Sequence, residues 1–198
     1  RWAKDRGICH AAKGHLSPYA WTLLTIYFMQ VGGSEEGELL PPVSGFEVSK
    51  GLIAGPGAIV TQPAAKPQWT RPAPTGERRP VGALFREFVK FYRAFDWHNE
   101  AVSVLSGKRA PPDLTLPLHI IVAEDGKTTQ VGPSIEDPFE RKRNLGECTT
   151  VQSLARLVEE LQRAEQLLGS KASLSELLEP WVPPERSPED GAEQDKSD

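Results

Sequence analysis

The sequence predicts a mainly α-helical protein with a few short strands, an α+β chain of 198 residues. Two segments, 81–95 and 151–168, carry apolar residues at helical spacing, and a third apolar segment precedes them. The strand candidates fall between residues 101 and 131, so the helices come first and last. This order differs from the strand–helix alternation that builds a parallel α/β sheet.

The first 33 residues are typical of one helix end followed by a central helix. Residues 1–8 have the pattern of the helix end. Ser17 can cap the next helix with its hydroxyl, and Pro18 suits the first helical position because no N–H is needed there. The run Tyr19–Val31 is apolar on nearly all sides, and Gly32-Gly33 ends it. It spans about 13 residues, whereas a membrane crossing needs about 20, so we expect a buried helix.

The middle of the chain combines one helix with short strands. Periodicity predicts a helix over residues 81–95, with one apolar face. Residues 101–105 are a short strand candidate. Residues 118–122 and 128–131 flank Asp125-Gly126, a pattern typical of a β-hairpin.

The next part of the chain has a loop and then the longest predicted helix. Residues 135–140 have no periodicity, which indicates a loop. Thr149 or Thr150 can cap the helix that follows over residues 151–168, and Gly169 is predicted to stop it.

Three further segments have little or no apolar pattern. Residues 34–80 contain eight prolines, which favours a proline-rich loop that is partly disordered. Within residues 170–182, Ser173–Glu176 has capping-box spacing and predicts a short helix. We expect residues 183–198 to be an acidic disordered tail.

Composition restricts the function. The net charge is −4, but residues 185–198 hold six acids and two bases, and the rest of the chain has 21 of each. A neutral body does not indicate nucleic-acid binding by bulk charge, so any RNA contact must be local. Two cysteines are too few for a disulfide framework, and we expect a reducing compartment, the cytoplasm. A Walker-type phosphate loop, paired metal-ligand cysteines and a nucleophile elbow are all missing from the sequence, so no catalytic residue is predicted in this chain.

Three motifs, in this order along the chain, resemble the template-independent RNA terminal nucleotidyltransferases, which are the terminal uridylyltransferases and the cytoplasmic poly(A) polymerases. The motifs are Trp2-Ala3-Lys4 with Leu16–Ala20, then Val81–Phe85 with Phe95–Trp97 and Val102–Val104, then Ile135–Glu140 with Asn144–Gly146. The second resembles the core of the poly(A)-polymerase-associated domain, expected over residues 81–169. The third is similar to the family's nucleotide recognition motif, over residues 135–146.

The resemblance implies the helical nucleotide-recognition domain of a DNA polymerase β-like nucleotidyltransferase. In this family a separate catalytic domain holds Mg²⁺ or Mn²⁺ with three carboxylates, and UMP or AMP from UTP or ATP is added to an RNA 3′ end. The sequence has no such carboxylate motif, so we expect the catalytic domain to be missing and this part to be inactive alone. The oligomeric state is not predictable, and no membrane contact is expected.

The resemblance also implies five nucleotide-binding residues. Lys4 matches a lysine that contacts the triphosphate, and Tyr19 matches a tyrosine that stacks on the base. Asp137 and Glu140 match an acidic pair that can accept hydrogen bonds from the base or orient a water molecule. Arg143 stands where uridylyltransferases usually have histidine, and it can donate to a uracil carbonyl.

Two departures from the family pattern leave an alternative open. Pro18 replaces a family serine, which removes one hydroxyl from the phosphate contacts. Arg143 cannot accept a hydrogen bond from an adenine amino group, although it can stack or donate to a ring nitrogen, so the preference between UTP and ATP stays open. The alternative function is a non-catalytic RNA- or protein-binding relative that keeps only the helical half.

Overall fold

The computed structural model confirms a mostly helical chain with a few short strands. It describes residues 1–32, 39–43, 79–109, 120–122, 129–170 and 172–183. The proline-rich loop predicted for 34–80 and the acidic tail predicted for 183–198 fall almost entirely outside these ranges, and both remain predictions. In the described part, none of the helices is both long and apolar enough to cross a membrane.

The helices and strands follow the order that the sequence predicts. The helices are α1 (Trp2–Asp5), α2 (Pro18–Val31), α3 (Val81–Arg93), α4 (Val151–Gly169) and α5 (Leu174–Leu177), with a short 3-10 turn at Ala11–Lys13. The strands are β1 (Ala101–Val102), β2 (Ile120–Val122), β3 (Thr129–Val131) and β4 (Ser134–Ile135).

Helix α2 begins at Pro18 and is capped by Ser17, as predicted. The Ser17 hydroxyl accepts a hydrogen bond from the Ala20 N–H at 3.1 Å, and Pro18 occupies the first turn. The helix ends before Gly32. Its buried residues are Ala20, Leu23, Leu24, Tyr27, Phe28 and Gln30.

Helices α3 and α4 pack together to complete the core. Aromatic side chains of α3 contact those of α2; Phe88, for example, lies edge-on to Phe28 with ring centroids 5.6 Å apart. The buried Tyr92 hydroxyl donates to the Leu24 carbonyl at 2.6 Å, which satisfies a polar group that burial would otherwise penalise. From α4, Leu154, Leu157 and Leu161 are buried in the same core.

Strand pairing confirms the hairpin and corrects the loop prediction. Strands β2 and β3 pair antiparallel, and the predicted turn between them lies outside the described residues. Strand β1 pairs parallel with β4, so Ile135 belongs to a strand and not to the predicted loop. The prediction failed because a two-residue strand is too short to show a period. The predicted strand over 101–105 is also shorter, because the chain turns after Val102.

The helix ends differ from the predictions by a few residues. Helix α1 has four residues and not eight. Thr150, one of the two candidates, caps α4, and Gly169 is the last residue of α4, followed by Ser170 as the C-cap. The capping box at Ser173 is confirmed, since its side chain accepts from the Glu176 N–H and the Glu176 side chain accepts in return.

Candidate functional site

Residues 135–146 form a loop that is closed at its base by Asn144. Residues Glu136 and Asn144 form an antiparallel bridge at the end of β4. The Asn144 side-chain oxygen accepts from the N–H groups of Ile135 at 3.0 Å and Gly146 at 2.9 Å. These bonds hold both ends of the loop together, so residues 137–143 project from a fixed base.

Gly146 is required by close packing at this base. A Cβ atom placed there would lie 1.8 Å from the Pro133 carbonyl oxygen, far inside van der Waals contact. The sequence motif contains Asn144 and Gly146, but their scaffolding role becomes visible only in the structure.

Asp137 organises the loop from within. It is 3% exposed, and its Oδ1 accepts from the N–H groups of Phe139 at 3.0 Å and Glu140 at 3.3 Å, which is an Asx turn. The same oxygen accepts a third hydrogen bond, from the Tyr19 hydroxyl at 3.3 Å. Only the second carboxylate oxygen, Oδ2, is left for other partners.

Tyr19 lies in the first turn of α2 and is 37% exposed. Partial burial, and then the nearby charge of Asp137, raises the pKa of the Tyr19 hydroxyl above its usual value. The phenol therefore stays protonated at neutral pH and can remain a donor to Asp137. Its ring keeps an accessible surface that a planar ligand can stack on.

Arg143 and Glu140 complete the cluster at the exposed side of the loop. One guanidinium nitrogen of Arg143 lies 3.7 Å from Asp137 Oδ2 and 3.8 Å from Glu140 Oε2. Arg143 and Glu140 are largely exposed, so their ion pair is weak and a ligand can replace it, whereas the Asp137 carboxylate is buried. Four of the five predicted site residues are thus brought together: Tyr19, Asp137, Glu140 and Arg143.

Lys4 has no described contact with this cluster. It is exposed on α1 and lines a cleft of about 980 Å³, together with Pro18 of α2. The cleft is otherwise mainly apolar, and the Tyr19–Asp137 cluster is outside its lining. Pro18 is the neighbour of Tyr19, so the cleft and the cluster adjoin along the start of α2.

A buried ion pair beside Lys4 was not predicted from the sequence. The Arg6 guanidinium donates to both carboxylate oxygens of Glu160, at 2.7 and 2.9 Å, across 154 residues of chain. This pairing raises the pKa of Arg6. No local pattern marks either residue, because the pair joins the end of α1 to α4.

Among the described residues, no group of three or more His, Cys, Asp or Glu side chains is placed to hold a metal ion. The donor set of this part of the chain therefore does not fit Mg²⁺ or Mn²⁺. The cluster offers instead a ring surface, one arginine donor and carboxylate acceptors, a set suited to a heterocyclic base.

The chain is similar in sequence to a poly(A) polymerase and in fold to solved RNA-modifying transferases. No protein-family model matches it. It is 27% identical over 168 residues to the Speckle targeted PIP5K1A-regulated poly(A) polymerase of Ailuropoda melanoleuca. The aligned region covers 82% of this chain and 18% of that protein.

Solved structures share the fold. One is the Cid1 poly(U) polymerase with Mg and 3′-dATP bound, at a TM-score of 0.63 and 22% identity, covering 91% of this chain and 53% of that chain. Another is a cytoplasmic RNA terminal U-transferase, at a TM-score of 0.63 and 21% identity, covering 92% of this chain and 55% of that chain. The chain thus spans about half the length of these solved proteins. The chain therefore resembles a poly(A) polymerase in sequence and shares the fold of solved RNA terminal nucleotidyltransferases.

Proposed function

We propose that this chain is the nucleoside-triphosphate-binding helical half of an RNA 3′-terminal nucleotidyltransferase that adds UMP or AMP to RNA. One observation carries the proposal. The Tyr19 hydroxyl lies 3.3 Å from Asp137 Oδ1, so two motifs that are 118 residues apart in the chain form one cluster. The proposed catalytic domain lies elsewhere in the whole protein, and this half is inactive without it.

In the proposed site, Tyr19 stacks on the base while Asp137 fixes the position of its ring. Stacking of this kind contributes about 1–3 kcal/mol and tolerates any base. Glu140 is exposed and accepts from a base N–H, and Arg143 donates to a base carbonyl or ring nitrogen. Because Asp137 Oδ1 already accepts three hydrogen bonds, any base or water contact of Asp137 uses Oδ2.

Lys4 serves the other end of the nucleotide in this proposal. Its ammonium is a mobile point charge suited to a triphosphate. Its place in a cleft shared with Pro18, the neighbour of Tyr19, supports this role. In the whole protein, Mg²⁺ or Mn²⁺ would be held by carboxylates of another domain and would supply activation of the RNA 3′-hydroxyl and charge stabilisation for the leaving pyrophosphate. The proposed location is the cytoplasm.

A second candidate function is a non-catalytic RNA- or protein-binding relative. Arg143 favours it, because its guanidinium lies within 4 Å of both acids that base recognition needs. Pro18 favours it as well, since it offers no hydroxyl to the phosphates.

RNA extension by the whole protein tests the proposal, with each nucleoside triphosphate supplied in turn. We expect Tyr19→Ala and Asp137→Asn each to weaken extension by about tenfold or more, the loss of one stacking or orienting contact. Tyr19→Phe keeps the stacking ring but loses the hydrogen bond to Asp137, so its activity should lie between those of Tyr19→Ala and the wild-type protein.

Asp96→Asn is the matched control for the aspartate. Asp96 also accepts from two N–H groups in a surface turn, but the turn is not part of the Tyr19 cluster. If the wild-type protein extends no RNA with any nucleotide, the non-catalytic candidate replaces this proposal.

A further inference from the structure

We propose that residues 172–183, here called the C-terminal strap, fix helix α1 and thereby position Lys4 for the triphosphate. The inference rests on the proposed function and adds a positioning role for Trp181. Helix α1 has only four residues. A single helical turn is not stable alone, so its position depends on tertiary contacts.

The first half of α1 is held by the core. The Trp2 ring lies edge-on to Trp21 of α2 at 5.9 Å and to Phe85 of α3 at 5.7 Å. Lys4 comes after this anchor, in the last residues of the helix. The position of Lys4 is therefore set by whatever holds the other end of α1.

The strap makes direct backbone contacts with that end. The Trp181 N–H donates to the Asp5 carbonyl at 2.9 Å. The Arg6 side chain donates to the Glu179 carbonyl at 2.6 Å. Carbonyls at a helix end have no partner within the helix, and here the strap supplies one.

Helix α4 supports the same junction through Arg156. Its guanidinium donates to the Arg6 carbonyl at 3.2 Å and lies 4.0 Å from the centroid of the Trp181 ring. A cation above an indole is attracted to its face, so Arg156 holds the strap and the end of α1 together. Glu160 accepts from both Arg156 and Arg6 and keeps the two guanidinium groups side by side.

The Trp181 ring also covers Gly7, the turn that follows α1. Gly7 has a φ of +70°, and a Cβ atom there would lie 3.2 Å from the Trp181 ring. The helix is followed by a left-handed residue that the ring packs against, as at many helix C-termini.

The strap has its own attachment to α4, independent of α1. Leu177 is buried in the core, and the Arg163 side chain donates to the Glu176 carbonyl at 2.6 Å. Loss of the Trp181 ring should therefore free the end of α1 without detaching α5 or unfolding α4.

The test compares Trp181→Ala and Trp181→Phe with Val182→Ala as the control. Val182 is a neighbour in the strap and is 77% exposed. Amide hydrogen exchange is measured at Arg6 and Ile8, whose N–H groups bond to Trp2 and Ala3 in the α1 turn. In the whole protein, KM and kcat are measured for the nucleoside triphosphate.

For Trp181→Ala we expect exchange at Arg6 and Ile8 to accelerate by about three- to tenfold, as for a lost cation–π contact, while α4 amides stay unchanged. KM should rise by a similar factor with a smaller change in kcat, because ground-state phosphate binding is lost. Trp181→Phe keeps a ring beneath Arg156 and should restore both values.

Unchanged exchange at α1 overturns the inference, and so does faster exchange with an unchanged KM. If Tyr19→Ala impairs extension and Trp181→Ala does not, the proposed function stands and this inference alone fails. A wild-type protein without extension activity refutes both.

Discussion

Removal of the Glu160 carboxylate should strongly destabilise the fold. Its side chain is 3% exposed and accepts hydrogen bonds from Arg6 at 2.7 and 2.9 Å and from Arg156 at 2.7 Å. In Glu160→Gln the Arg6 guanidinium stays buried without a countercharge. Breaking a buried pair in this way costs about 3–5 kcal/mol, well above the value of an exposed pair.

The matched control is Glu165→Gln on the same helix. Glu165 is 43% exposed and lies 3.8 Å from Arg93, so its loss should cost less than about 1 kcal/mol. Urea unfolding followed by circular dichroism gives both free energies, provided that the m-values agree. A Glu160→Gln protein within about 1 kcal/mol of the control would refute the assignment of a stabilising buried pair. The double variant Arg6→Met, Glu160→Leu should recover part of the lost free energy of unfolding, because neither replaced position then carries a buried charge.

Two further predictions concern residues 135–146 and the three tyrosines. Gly146→Ala should destabilise the fold by about 1–3 kcal/mol, because the added methyl group overpacks against Pro133. The control Gly169→Ala, which has open space around it, should be neutral or slightly stabilising. Equal unfolding midpoints for the two variants would contradict the close approach of Gly146 to Pro133. Burial raises the pKa of Tyr27 to about 12 and also raises the pKa of Tyr92 and Tyr19. All three hydroxyls should therefore ionise at a higher pH in the folded chain than in the unfolded chain. Because these folded-state pKa values are raised, their contribution to stability is complete below about pH 10 and is lost as the pH rises towards 12. Tyrosinate absorbance during an alkaline titration, with and without denaturant, checks this; coincident curves would refute it.

The helical part of the fold was predictable because its information is local. The apolar residues of α3 and α4 repeat at helical spacing, and Ser17 and Pro18 mark the start of α2. The parallel pairing of β1 with β4 was not predictable, since it joins two-residue strands more than 30 residues apart. The Arg6–Glu160 ion pair was not predictable either, because the sequence around each residue does not indicate that the two side chains contact each other.

The candidate site was predictable through its motifs but not through its geometry. The motifs identify Tyr19 and Asp137 individually, and the structure adds the hydrogen bond that joins them. The placement of Arg143 between two carboxylates follows from the loop closed by Asn144, which no periodicity indicates. The nucleotide-binding roles of these residues remain predictions.

A nucleotide titration of this chain tests the central proposal most directly. UTP and ATP are added separately, up to about 10 mM so that weak binding is detected, and chemical shifts are followed by NMR. We expect the largest changes at Tyr19 and Arg143, none at the buried Tyr92, and changes near Lys4 with tripolyphosphate alone. Absence of any shift at Tyr19, or shifts confined to residues outside the cluster and the Lys4 cleft, would contradict nucleotide binding at this site.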